Sequence, residues 1–168
     1  MQHYLFCPMC TSPIVTKFLD GRDLDVCSGD CGFVHWNNPV PVVAALVYCN
    51  SQFILARNRA WPEGLFSLIS GFLDAGELPS SAIAREVKEE LGLDVLSCDF
   101  IGFYPLKKMN QIITAYYVRA EGTIFLNEEI ADIKKLEKDS LIAFDFGPLK
   151  LGKVVVDDAL LKGLISRV

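Results

Sequence analysis

Residues 71–93 read GFLDAGELPSSAIAREVKEELGL, and the spacing within this stretch decides the fold. Pro79 suits the first turn of a helix, Ala84, Val87 and Leu91 recur at helical spacing, and Gly92 is placed to end it. At 100° per residue Glu86, Glu89 and Glu90 fall within an arc of about 100°, while Ile83, Ala84, Val87 and Leu91 fill the neighbouring arc. One face is expected to bury and the adjacent face to carry the carboxylates. Like charges at i, i+3 and i+4 repel and destabilise an isolated helix. A divalent cation resolves that conflict, and hard oxygen ligands suit Mg²⁺ or Mn²⁺, with waters and substrate phosphates completing the shell. Glu86 and Glu90 lie about 6 Å apart along the axis, which leaves room for more than one ion. Glu77, just ahead of the helix, can reach the same region or pair with Arg85. Gly71 and Gly76 frame a loop whose backbone can approach a ligand closely.

Working outward, residues 41–49, PVVAALVYC, read as a buried strand, Asn50-Ser51 as a turn and QFILA as the hairpin partner. LFSLIS, residues 65–70, is a third short strand. Strands are expected over 95–104 and 111–119, a charged helix over 128–138 and a longer helix over 153–167. Val156, Leu160, Leu161, Leu164 and Ile165 make one apolar face of that last helix. The pattern predicts an α/β protein, a mixed sheet with helices packed on it. Asn37-Asn38-Pro39-Val40-Pro41 marks a boundary between a small module, 1–37, and the main domain, 38–168.

The module contains Cys7 and Cys10 as a CxxC and Cys27 and Cys31 as a CxxxC. Two close pairs sixteen residues apart suit a tetrahedral structural zinc site, each pair supplying two thiolates from a tight turn. Four thiolates leave no open position for water, which excludes catalytic zinc there. Gly32 stands where such a turn often needs positive φ. His35 is read as an ordinary strand residue, and Cys49 and Cys98, in apolar stretches, as small buried hydrophobes.

At 168 residues, with 51% hydrophobic and 22% charged, the chain should fold as one domain with a small appendage rather than stay disordered. No apolar run approaches the ~18 residues that span a bilayer, so no membrane partner is expected. The start, MQHYLFCPMC, lacks the pattern of a secretion signal, and the expected address is the cytoplasm. Sixteen Lys and Arg against 21 Asp and Glu, net charge -5, argue against a nucleic-acid partner gripped by its backbone.

The stretch 71–93 resembles the Nudix box: Gly, five residues, Glu, seven residues, then Arg-Glu-aliphatic-any-Glu-Glu-any-Gly-aliphatic. Gly71, Glu77, Arg85, Glu86, Val87, Glu89, Glu90, Gly92 and Leu93 fill its nine specified positions. The cysteine-bearing ribbon, the NPxPVV that follows and the GF opening the box look like the zinc-ribbon branch of Nudix hydrolases that includes NADH pyrophosphatases. The resemblance covers roughly residues 5–120. It implies a Nudix α/β/α sandwich preceded by a zinc ribbon, and a hydrolase that cleaves a nucleoside diphosphate linked to another moiety, with a homodimer as the assembly. It implies that Glu86, Glu89 and Glu90, with Gly71, hold Mg²⁺ or Mn²⁺, that one glutamate serves as base for water, and that Arg85 and Glu77 are an orienting pair. NADH pyrophosphatases also carry a Ser-Gln-Pro-Trp-Pro-Phe-Pro array after the box, and here that region reads GFYPLKKMNQ. NAD(H) is therefore one substrate among several open ones: ADP-ribose, dinucleotide polyphosphates, nucleotide-sugars and non-standard NTPs.

Both histidines, His3 and His35, lie in the small module, so the main domain has no histidine base and must use carboxylates and metal-activated water. GPLKLGKV, residues 147–154, lies between LIAFDF, residues 141–146, which reads as a strand, and a helix. It almost matches a P-loop, but Val154 replaces the Ser or Thr that should hold Mg²⁺. Arg57 and Arg59 are candidates for substrate phosphates, and Trp61, Phe66, Phe103 and Tyr104 for stacking a base. Glu128 or Glu129 is a candidate further acid, with a solvated helix start as the favoured reading. Lys107 and Lys108 read as surface. The rival from another class is a non-catalytic nucleotide- or nucleic-acid-binding zinc-ribbon module.

Overall fold

A computed structural model of the chain describes residues 4–148 and 150–165. Contacts divide it into two units, one ending at Pro39 and the other beginning at Val40. In the first, β1 (Ile14–Leu19) and β2 (Arg22–Cys27) form a hairpin through Asp20-Gly21, both at positive φ, and β3 (Val34–His35) pairs with β2. Among its described residues only Leu24 and Val26, with Cys7 and Cys27, are buried hydrophobics, so these supply almost no apolar core.

The second unit is built on β4 (Val40–Cys49). One of its edges pairs in parallel with β8 (Gln111–Glu121), which pairs antiparallel with β7 (Asp94–Leu106). The other edge is shared: β5 (Gln52–Asn58) takes the end at Val47–Cys49, and β6 (Ile69–Phe72) takes Val42–Ala45. β9 (Ile130–Leu136) pairs with β5 and completes a mixed six-stranded sheet. The hairpin turn Asn50-Ser51 has φ of 50° and 63°, the two left-handed residues that a tight two-residue connection needs.

The continuous apolar run of β4 follows from burial on both faces. Val42, Ala44 and Leu46 point into a core closed by α2 (Lys138–Ile142) and α3 (Leu151–Leu161); Val43, Ala45 and Val47 point into one closed by α1 (Pro79–Leu91). The result is an α/β/α sandwich. Helix α1 buries Ala82, Ile83, Val87 and Leu91 and ends at Gly92, φ 71°. Among the described residues no helix is long and apolar enough to cross a membrane.

Four expectations need correction. Residues 128–138 are not a helix: 130–136 form β9, and the short α2 begins only at Lys138. The Lys- and Glu-rich sequence has helical propensity, but pairing with β5 outweighs it, and lysines suit an edge strand. In 65–70 regular pairing starts only at Ile69, with Ser67 held to Ala56 by an isolated bridge. Residues 141–146, strand-like in sequence, are the end of α2 and an irregular segment. Helix α3 starts at Leu151 and stops at Leu161, which is 86% exposed rather than part of the apolar face; Val155, Val156, Ala159 and Ile165 are buried. Arg167, the expected end of that helix, lies outside the described residues, as does Leu149 of the P-loop-like stretch. Gly152 of that stretch has a packing role: a Cβ there would meet the Phe146 ring at 2.2 Å.

Candidate active site

Arg85 organises the box. Its Nε and Nη2 donate to the two oxygens of Glu77 at 3.1 and 3.0 Å, and Nη2 also donates to the Phe72 carbonyl at 3.1 Å. Nη1 donates to Glu86 at 2.7 Å and to Glu89 at 3.1 Å. One rigid guanidinium thus ties the loop before α1, the end of β6 and two helix carboxylates together, a bidentate geometry that lysine cannot supply. Glu77 is held below the usual carboxylate range by Arg85, and its Oε2 also accepts the Asp74 N–H at 3.1 Å.

Gly71 lies under Glu86. A Cβ at residue 71 would sit 2.0 Å from the Glu86 carboxyl carbon and Oε1, so the carboxylate occupies space that only glycine leaves. Glu90 is the most enclosed acid, 6% exposed, and accepts no hydrogen bond on its carboxylate from the described residues. Burial, and then the charges of Glu86, Glu129 and Glu89, push its pKa up to about 8. Burial also raises Glu86, against the pull of Arg85. Enclosed, mutually repelling carboxylates of this kind fit a divalent cation, whose charge would remove the penalty.

The strain gives a pH signature. Glu90's pKa stands at about 8 in the folded chain against 4.5 for the free group, so the folded state keeps a proton that the unfolded chain releases. That contribution to stability is fully present below about pH 4.5 and lost as pH rises through about 8. In buffers free of Mg²⁺ and Mn²⁺ the melting temperature is expected to fall from pH 5 to pH 8, and to fall less in Glu90→Gln. Melts of both proteins across that range check it; equal slopes would contradict it.

Beside Glu90 is a small pocket lined by Ala56, Asn58, Trp61, Leu68, Ser70 and Ile130. Trp61 is therefore placed at the site. Arg57 is half-buried on β5, and Arg59 follows it, its Nε donating to the Glu128 carbonyl at 2.5 Å. Phe66 and Tyr104 are corrections: neither is available to stack a base. Phe66 is buried in the core with Lys134 4.8 Å above its ring, and Tyr104 is buried with its hydroxyl donating to Asp158 at 2.7 Å. Phe103 is exposed, as are Lys107 and Lys108. Glu129 departs from the expected helix start. It precedes a strand rather than starting a helix, and its charge acts on both Glu86 and Glu90.

In the first unit the Sγ atoms of Cys7, Cys10, Cys27 and Cys31 all lie within 4.8 Å of one another. Regular tetrahedral zinc with 2.3 Å bonds needs sulfurs about 3.8 Å apart, so the set fits that ion. Backbone N–H groups of Met9 and Gly29 donate to Cys7 and Cys27 at 3.4 and 3.2 Å, and Gly32 has φ 75°. His35 stays outside the set, its ring edge-on to Tyr4.

A helix that carries clustered carboxylates beside a mixed sheet, with an arginine clamping the preceding loop, offers a set of hard oxygen donors suited to a divalent cation. The NUDIX domain model matches residues 38–153, and the chain belongs to that family. It is 29% identical over 142 residues to the NAD-capped RNA hydrolase NudC of Vibrio atlanticus, covering 83% of this chain and 52% of that one. Its identity to the protein of the same name from Mycobacterium bovis is 34% over 107 residues, 61% of this chain and 34% of that one. The chain thus spans about half the length or less of these curated relatives. The fold is that of a NUDIX hydrolase from Nitrosomonas europaea, TM-score 0.78 at 20% identity, covering 98% of this chain and 92% of the other.

Proposed function

We propose that the second unit is a pyrophosphohydrolase that cleaves the diphosphate of a nucleoside diphosphate linked to another moiety. The observation that carries this reading is the Arg85 clamp on Glu77, Glu86 and Glu89 beside the enclosed Glu90, with the exposed Glu129 near enough for its charge to act on Glu86 and Glu90. Glu86, Glu89 and Glu90 would hold Mg²⁺ or Mn²⁺, with the Gly71 carbonyl beside them and Glu129 as a further acid. When bound, the cation supplies charge to the diphosphate oxygens and acidifies a water. Arg85 and Glu77 keep the carboxylates in position before any substrate arrives, so little reorganisation remains at the moment of reaction. Trp61 offers a face to a substrate ring, and Arg57 and the remaining Nη groups of Arg59 offer charge to its phosphates. The small unit is a structural zinc ribbon of residues 1–37, the enzyme works in the cytoplasm, and its assembly is a homodimer.

Among substrates, the relatives named NAD-capped RNA hydrolase favour an NAD-type dinucleotide end, free or on RNA. The departure from the NADH pyrophosphatase array and the net charge of -5 weigh toward small nucleotides instead. A hydrolysis panel with Mg²⁺ or Mn²⁺ discriminates them: NADH, NAD⁺, NAD-capped RNA, ADP-ribose, dinucleotide polyphosphates, nucleotide-sugars and NTPs, with products identified by mass. Cleavage within a diphosphate is the expected result. If all of these compounds survive while some bind, the non-catalytic reading takes over.

Zinc gives a separate prediction. Replacing Cys7 and Cys10 by serine is expected to lower bound zinc from one equivalent to none and to destabilise the first unit, which has little else to hold it. Elemental analysis and calorimetry check it; full zinc retention would overturn the four-thiolate assignment.

A further inference from the structure

We infer that Asn127 is a positioning residue, which anchors the loop ahead of β9 to the end of α1 and so sets where Glu129 stands at the rim of the Glu86 and Glu90 carboxylates. The inference rests on the metal-site reading above and concerns a residue outside the box.

Glu129 lies in an irregular segment, and nothing in such a segment fixes a carboxylate by itself. Asn127 supplies the missing constraint. Its side-chain oxygen accepts two backbone N–H groups, those of Glu129 at 3.0 Å and Ile130 at 3.2 Å. That pattern closes the chain into a turn and fixes the direction in which residue 129 leaves the backbone. The Asn127 N–H in turn donates to the carbonyl of Glu90 at 3.4 Å, and the Phe125 N–H to that of Leu91 at 2.9 Å. Both are carbonyls from the last turn of α1, which has no helical partners to offer them. The loop therefore caps the very residue whose side chain is the most enclosed acid of the site.

A second strut comes from the end of β5. The Arg59 N–H donates to the Glu129 carbonyl at 2.8 Å and its side chain to that of Glu128. Ile130, the next residue, is buried and lines the same pocket as Glu90. Asn127 thus sits where the α1 terminus, the β5 extension and the start of β9 meet. Partners of metal-ligating carboxylates that lie one layer out tune affinity through orientation alone.

The test is Mn²⁺ binding to the full chain without substrate, followed by electron paramagnetic resonance, for wild type, Asn127→Ala, Glu129→Ala and the double variant. Asn127→Ala is expected to weaken Mn²⁺ binding about 10-fold or more, as Glu129→Ala does. The double variant should bind no more weakly than Glu129→Ala, because Asn127 acts only through that carboxylate. Asn127→Asp, which keeps an oxygen acceptor at the same reach, should restore most of the affinity. A merely structural asparagine would lower the melting temperature and leave Mn²⁺ affinity unmoved. If Asn127→Ala does not fold, Asn127→Gln, which carries the amide one methylene too far, makes the same comparison. Wild-type affinity in either single variant, or losses that add in the double, would overturn the inference. Because no substrate is present, that failure is separate from failure to cleave a diphosphate.

Discussion

Glu90→Gln is expected to reduce kcat about 1,000-fold on whichever diphosphate the panel identifies, near 4 kcal/mol of transition-state stabilisation, with little change in melting temperature in Mg²⁺. Glutamine keeps the size and one oxygen of the side chain but removes the charge. In the folded chain that charge is enclosed and is opposed by those of Glu86, Glu129 and Glu89, a state that a bound cation makes favourable. Removing it withdraws a ligand from the cation and relieves repulsion in the metal-free protein, so activity and metal-free stability move in opposite directions. That opposition is what the experiment should read: lower turnover together with a higher metal-free melting temperature at pH 8. A variant that keeps more than a tenth of wild-type turnover would place the essential carboxylate elsewhere, with Glu86 and Glu129 the next to replace.

The site inside the box was legible in sequence because a helix has a fixed angular repeat. Once Pro79 and Gly92 bound the helix, the angular positions of Glu86, Glu89 and Glu90 follow by geometry, and Arg85 reaches the first two. The four cysteines were legible for a similar reason, since short spacings restrict where sulfurs can go. Glu129 was legible only as one of two candidates, with Glu128, at what the sequence suggests is a helix start. Its place depends on β5 and β9 pairing across a gap of about seventy residues and on Asn127 and Arg59 bracing the loop, and no local pattern encodes that. The aromatics failed for the complementary reason. Strands put alternate residues on opposite faces, but the sequence does not say which face carries the helices. Phe66 and Tyr104 turned out to serve the core beneath α3, whereas Trp61, in a loop, reaches the pocket.

The departures from the NADH pyrophosphatase array become interpretable on this fold. Residues 102–111 run from the end of edge strand β7 through a tight turn at Lys107–Met109 into β8. None of them lines the pocket beside Glu90, whose walls come from β5, β6, Trp61 and Ile130. The departure from the array therefore leaves the carboxylates and the walls of that pocket untouched.

Gly71→Ala is the second large effect expected, and its logic differs from that of Glu90→Gln because no chemical group is lost. The backbone at Gly71 does not have positive φ, so alanine can adopt it without strain, and β6 should still pair with β4 through the Val43–Gly71 register. What alanine cannot do is share space with the Glu86 carboxylate, whose carbon and Oε1 lie 2.0 Å from the new Cβ. The flexible side chain yields rather than the sheet, and Glu86 swings away from Glu90 and from its hydrogen bond to Arg85 at 2.7 Å. Loss of position by one cation ligand is expected to lower kcat about 100-fold and to weaken Mn²⁺ binding, because an error of about 1 Å in a reacting constellation costs that much. Thermal stability should change by about 1 kcal/mol at most, since the displaced acid moves toward solvent, where its charge is better hydrated. Gly71→Ala/Glu86→Ala separates this from general damage: with the carboxylate gone, alanine at 71 has nothing to strike, and the double variant should be no worse than Glu86→Ala alone. If the two losses multiply instead, the glycine serves the fold of β6 rather than the seat of Glu86.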